Sequence, residues 1–181
     1  MAHAQSVVAF QRSLNREFSD SLESPLSPAA RRAFRVLPYY PGGYRYYVAA
    51  RLVRDSTTAP FAMATSTARR STYRKYGDLY FTLAGKALKL SVYQNLELMT
   101  RPGLTDYLFV PFTDLTNGHG SYGGGRYLDL RVPPIGSRTV LLDFNRAYNP
   151  SCAYSTAYSC PVPPAENRLA VAIPAVVQSD H

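Results

Sequence analysis

The run "DFNRAYNPSCAYSTAYSCPVPPAENRL" (residues 143–169) holds two cysteines, four prolines, three tyrosines and three asparagines, with neither a helical nor a strand period. Such a loop is either a brace that closes a fold or the wall of a site. Cys152 and Cys160 are the only cysteines, and no Cys-x-x-Cys unit or His-rich partner completes a zinc set. Their spacing points to a local disulfide that pins Tyr154 and Tyr158, contributing about 2–3 kcal/mol through chain entropy. Alternate residues of a strand face opposite sides, so in "RYLDLRV" Arg126 shares the apolar face with Leu128 and Leu130, and in "RTVLLDFN" Asp143 and Asn145 share a face with Leu141. A charge taken out of water needs a partner. Joining the two runs as a hairpin through "PPIGS" makes Arg126 and Asp143 partners for each other. Arg126, Asp143, Asn145, Tyr148, Asn149 and Asn167, with Glu166 at the rim, would then line a polar pocket. Tyrosines and asparagines beside one arginine suit a small polar ligand: a carbohydrate, a peptide or a carboxylate.

The same loop permits a reaction, because two carboxylates are what glycoside cleavage requires and Asp143 and Glu166 are available. A Ser-His-Asp set can also be written from Ser121, His119 and Asp114 or Asp143, but no nucleophile-elbow motif surrounds it. Five glycines among residues 118–125 read as a hairpin loop. A dinucleotide fingerprint would open a helix, and a strand follows here. No motif calls for a metal or another cofactor.

The elements that must position these groups follow from periodicity. Phe10, Leu14, Phe18 and Leu22 recur at four-residue steps, which predicts an amphipathic helix over residues 6–22. It stops before the two prolines of "SPLSP". Short runs rich in Val, Tyr, Phe and Leu then follow at 44–53, 61–67, 77–85, 87–95, 106–112, 126–132, 138–145 and 167–174, separated by Gly, Pro and Asn. They predict a mainly β protein, an antiparallel sandwich or barrel-like fold of about eight strands with one N-terminal α-helix. Residues 6–175 are expected to form a single domain, residues 1–5 a vector-derived or signal-peptide remnant, and residues 176–181 a tail.

From "LPYYPGGYRYYVAARLV" through "YGDLYFTLAG", "LFVPFTDLTNGHGSYGGGRYLDL" and "LLDFNRAYNPSCAYSTAYSCPVPPAENRL", the chain resembles the domain of unknown function 1684 family. The resemblance implies a fold and no reaction. It also implies an Ala-Gly-Glu turn near the end, where this chain has Ala175-Val176-Val177.

Composition bounds the partners. The chain is 181 residues long, 46% hydrophobic and 18% charged, with 15 Tyr and no Trp, which excludes disorder. No apolar run reaches the roughly 18 residues of a membrane helix. The net charge of +8 is confined to residues 1–100, with 14 of the 20 basic and 6 of the 12 acidic residues. Its densest part, "ARRSTYRKYG" (68–77), interleaves basic and aromatic residues, as a binder of nucleic acid or another anionic polymer can. A solvated hairpin tip is the simpler reading, which argues against a nucleic-acid partner. The paired cysteines and the small-x-small pattern Ala2-His3-Ala4 point outside the cytoplasm. The leading expectation is a non-enzymatic, extracytoplasmic binding or structural domain. A hydrolase and an anionic-polymer binder are the alternatives.

Overall fold

A computed structural model describes residues 2–179. Seven antiparallel strands form one sheet: β1 (Tyr47–Arg54), β2 (Phe61–Ala64), β3 (Arg70–Leu83), β4 (Lys86–Asn95), β5 (Tyr107–Phe112), β6 (Arg126–Arg131) and β7 (Thr139–Asp143). The order is β6-β5-β4-β3-β1-β7, with β2 paired to β3, and the sheet curls into a half-barrel. Helix α1 (Ala2–Ser19) packs against it. The short helix α2 (Pro28–Ala33) begins at the second proline of "SPLSP", with the Ser27 hydroxyl accepting from Ala30 N–H at 3.2 Å. Proline is tolerated there because its missing donor lies in the first turn.

The stripe of α1 is Val7, Leu14 and Phe18, with Phe10 partly buried. Leu22, assigned to the stripe from sequence, is 94% exposed. The helix ends earlier because the Asp20 carboxylate takes the N–H groups of Leu22 and Glu23 into a turn, as short polar side chains do in competition with a helix. At the other end, residues 2–5, read as a remnant, are the first helical turn.

Only Ala68 and Arg69 of the basic run lie in the hairpin tip, between β2 and β3. The rest, from Arg70, forms the first half of β3, where Tyr73 and Tyr76 are buried, Lys75 pairs with Asp78 and Arg74 donates to Gln94. Its aromatics therefore belong to the core and offer no stacking face. A bulge between Lys75 and Gly77 breaks the β3–β4 register, and a side chain at Gly77 would lie 2.3 Å from the Val53 carbonyl. Only glycine permits that approach.

The eighth strand does not form. Residues 165–167 make a 3-10 turn, and the segment after it keeps the strand alternation, with Leu169, Val171 and Ile173 buried. It joins the loop after β5 through Thr113 and Leu115, while further backbone groups are taken by the side chains of Arg126 and Asp114. Val176 and Val177, placed in a tail by sequence, are buried too, with Tyr39 bridging Val177. Asp180 and His181 lie outside the described residues, as does Met1. Among the described residues no helix is long and apolar enough to cross a membrane.

Candidate functional site

The expected pair of Arg126 and Asp143 does not form. β6 and β7 are the two edges of the sheet, so "PPIGS" spans an opening and makes no hairpin. Parity did place Arg126 correctly: its side chain is fully buried, and it pairs with Asp114. Asp114 is two residues past Phe112, the cross-strand partner of Arg126, so the β5–β6 hairpin carries both charges on one face. Arg126 also donates to the carbonyls of Ala175 at 2.6 Å and Ile173 at 2.9 Å. Asp114 accepts from the Thr116 N–H at 2.7 Å and its hydroxyl at 2.6 Å. This network ties the last segment to β6, and neither charge lines a cavity described below.

The other candidates separate in the same way. Asn167 is fully buried: its Oδ1 accepts from Ser91 N–H at 2.7 Å, and its amide donates to the carbonyls of Ser91 at 2.9 Å and Pro111 at 2.7 Å. The amide thus stitches β4 to β5, whose ladder has a single register pair at Tyr93 and Phe109. Glu166 accepts from the Tyr93 hydroxyl at 2.7 Å. Tyr148 donates to Asp129 at 2.8 Å, and Asn149 donates to the Tyr154 hydroxyl at 3.0 Å. No cavity described is lined by both Asp143 and Glu166. Ser121 is buried against Thr116 while His119 is exposed, so the Ser-His-Asp set is not assembled.

Asp143 alone of these lines the large opening, with Asn145 buried behind it. β7 is an edge strand paired only with β1, and Leu141 on the face of Asp143 is 53% exposed. Asp143 is covered because α1 lies across the strand end. Its Oδ2 is 3.0 Å from His3 Nε2, and its Oδ1 accepts from the Asn145 N–H at 3.1 Å and side-chain amide at 2.8 Å. The same Asn145 side chain exchanges two bonds with the Gly43 backbone, at 2.9 and 3.0 Å, fixing the loop that carries Tyr44 and Tyr47. The His3 ring lies 4.5 Å from that of Tyr47 and 5.4 Å, edge-on, from that of Tyr44. His3, Tyr44, Tyr47 and Asp143, with Arg146 and Gln11, line an open pocket of about 980 Å³.

His3, Tyr44, Tyr47 and Arg146 were not singled out from sequence. The signal for His3 was available: residues 3, 7, 10, 14 and 18 follow helical steps of four and three, so running the α1 stripe upstream reaches it. Among the described residues no group of three or more His, Cys, Asp or Glu could hold a metal ion.

Cys152 and Cys160 are free thiols in this structure. They touch: the Cys152 N–H donates to Cys160 Sγ at 3.2 Å, and the side chains hydrogen-bond to each other. Burial, above all, pushes the Cys160 thiol up to about 11.

The family model for a protein of unknown function (DUF1684) matches residues 32–178. Tyr44, Tyr47, Asp143, Asn145 and Arg146 fall within that span, and α1 with His3 precedes it. Among solved structures, the chain is similar to the solution NMR structure of the uncharacterized protein from gene locus rrnAC0354 of Haloarcula marismortui. Identity is 33%, the TM-score 0.76, and the match covers 99% of this chain and 95% of that one. No curated protein matches.

Proposed function

We infer the function of this chain, which belongs to the DUF1684 family of proteins of unknown function, from its own pocket: it binds a small polar ligand, in the first place a carbohydrate, at the opening between α1, the Tyr44–Tyr47 loop and the end of β7. One observation carries this reading. Asp143 and His3 meet within an open pocket whose wall is built from Tyr44 and Tyr47. Sugar rings present apolar faces and hydroxyl edges together, and this wall supplies rings beside a carboxylate, an imidazole, the Gln11 amide and the Arg146 guanidinium. Tyr44 is 71% exposed, so its ring is free to take a ligand face. A peptide or a small carboxylate, the latter held by Arg146, are the other ligands this chemistry admits.

The test is a titration of the full chain with mono- and disaccharides, dipeptides and dicarboxylates, read by NMR shifts of the Tyr44 and Tyr47 amides. Tyr44→Ala, which removes an exposed ring, should weaken binding about tenfold and leave the melting temperature unchanged. Absence of any saturable response from all three classes, or equal affinity in Tyr44→Ala, rejects the reading.

The contact of His3 with Asp143 favours hydrolysis as a second reading. A carboxylate that orients an imidazole places it to act as a general base, and His3 replaces Glu166 as the partner of Asp143. Turnover of a chromogenic glycoside or ester that disappears in His3→Gln would favour it over binding alone.

The proposal extends to a location outside the cytoplasm, supported by two thiols already in contact that an oxidising compartment would join.

A further inference from the structure

Cys152 and Cys160 lie outside the pocket at Asp143, which neither lines, and each is held in place with no covalent bond between them. Cys160 is fixed just past the end of β2: its N–H donates to the Ser66 hydroxyl at 3.1 Å, and its carbonyl accepts from the Ser66 N–H at 2.8 Å. Cys152 sits in the 3-10 turn Ser151–Ala153, where the Ala153 N–H donates to the Pro150 carbonyl at 2.9 Å and the Tyr154 N–H to that of Ser151 at 3.0 Å. The two side chains are hydrogen-bonded, and the Cys152 N–H points at Cys160 Sγ from 3.2 Å. Joining the sulfurs therefore asks little movement of either segment.

The pair is unsymmetrical. Cys152 is partly exposed and Cys160 is buried, so a reagent from solvent reaches Cys152 first. The attacking species in thiol chemistry is the thiolate, and burial, the largest cause, holds the Cys160 thiol at about 11, where it keeps its proton near neutral pH. The backbone N–H groups of Cys152 and Ser151 act the other way on Cys160: hydrogen bonds directed at a charged group favour it, so they assist the thiolate that a second step requires. Among the described residues no third His, Cys, Asp or Glu joins the two thiols, so the pair lacks the donor set of a zinc site.

We propose that Cys152 and Cys160 form a reversible dithiol–disulfide couple that reduces a low-molecular-weight disulfide, with Cys152 the attacking thiol and Cys160 the resolving one. The Cys152 thiolate displaces one thiolate from the substrate R–S–S–R and forms the mixed disulfide Cys152–S–S–R. Cys160 gives its proton to solvent and attacks the Cys152 sulfur, expelling the second RS⁻ and closing the Cys152–Cys160 bond. Two electrons pass from the protein dithiol to the substrate, which leaves as two thiols, and a thiol reductant in excess reverses both steps.

The experiment exposes the reduced full chain to oxidised glutathione in neutral buffer and follows intact mass with time. Wild type should lose two hydrogens and carry no lasting adduct, Cys160→Ser should stop at one glutathione per chain, and Cys152→Ser should stay unmodified. Because Cys160 is buried, a measurement that needs no variant accompanies these: the reduced wild type is alkylated with iodoacetamide, and Cys152 should react at least about tenfold faster than Cys160. Wild type that keeps both thiols, or that holds a stable adduct, overturns the proposal. Glutathione trapped by Cys152→Ser as readily as by Cys160→Ser, or equal alkylation of the two thiols, overturns it equally.

Discussion

Asn145 and Asn167 each present a donor and an acceptor to one backbone residue, as the edge of a neighbouring strand would: Asn145 to Gly43 and Asn167 to Ser91. Their value lies in the backbone groups that would otherwise be buried without partners. Arg126 works likewise, since two carbonyls of a segment without a ladder find their donors in its guanidinium. Val176 beside that segment holds φ at 68°, a conformation that costs a β-branched residue roughly 1–3 kcal/mol; the resemblance implies glycine at this position, which adopts it freely. Because the Arg126 and Asp114 side chains are both fully buried, removing either leaves the other uncompensated. Arg126→Leu or Asp114→Leu should each cost about 3–5 kcal/mol in urea unfolding, and the double variant less than the sum. Full additivity would show that the two charges do not depend on each other. Asp143→Leu serves as the control, since it should add independently to Arg126→Leu.

At the scale of elements, much of the fold was legible because alternation and turn residues report directly on a sheet. The failures have specific causes. The segment after Asn167 has the alternation of a strand, yet its backbone partners are partly side chains, which a hydrophobic pattern cannot reveal. The pair of Arg126 was misassigned because parity reports a face and says nothing of which strand lies alongside. The contact of Asp143 with His3 was not legible, because His3 comes from an element 140 positions away. Helix α1 is tied to the sheet by that contact, by Tyr39 donating to the Gln11 carbonyl at 3.1 Å and by Asn15 accepting from Leu37 N–H at 3.0 Å. Its Val7, Leu14 and Phe18 bury about 1.5–3 kcal/mol each, offset by the entropy of ordering the helix. Deleting residues 2–19 should therefore lower the melting temperature by roughly 5–15 °C and abolish ligand binding at Asp143. A monomeric truncation that melts like the full chain would show that the helix contributes nothing to the core.

Over the whole molecule, acidification acts in opposing directions. With a pI near 9.6, lowering the pH adds positive charge and destabilises the folded state through general repulsion. Glu17 and Asp129 oppose this trend. Their folded pKa values are raised above 4.5 and 3.8, so between those values and the raised ones the folded chain binds more protons than the unfolded chain. The stability they contribute is fully present below the unfolded values and is lost as pH rises through the folded ones. Asp55 has the reverse sign: the hydroxyls and N–H groups of Thr57 and Thr58 hold its carboxyl well below the usual range, and its contribution is lost as pH falls. The wild-type melting curve mixes all three effects, so the informative quantity is the difference between wild type and Asp129→Asn. The amide keeps an acceptor for the Tyr107 and Tyr148 hydroxyls and removes the charge that burial penalises. Asp129→Asn should therefore melt at or above the wild-type temperature at pH 7, and the gap should shrink as the pH falls through the raised folded value, where the wild-type carboxyl takes up its own proton. A variant that melts lower than wild type at pH 7 would mean that the charged bonds to the two tyrosines outweigh the desolvation of Asp129.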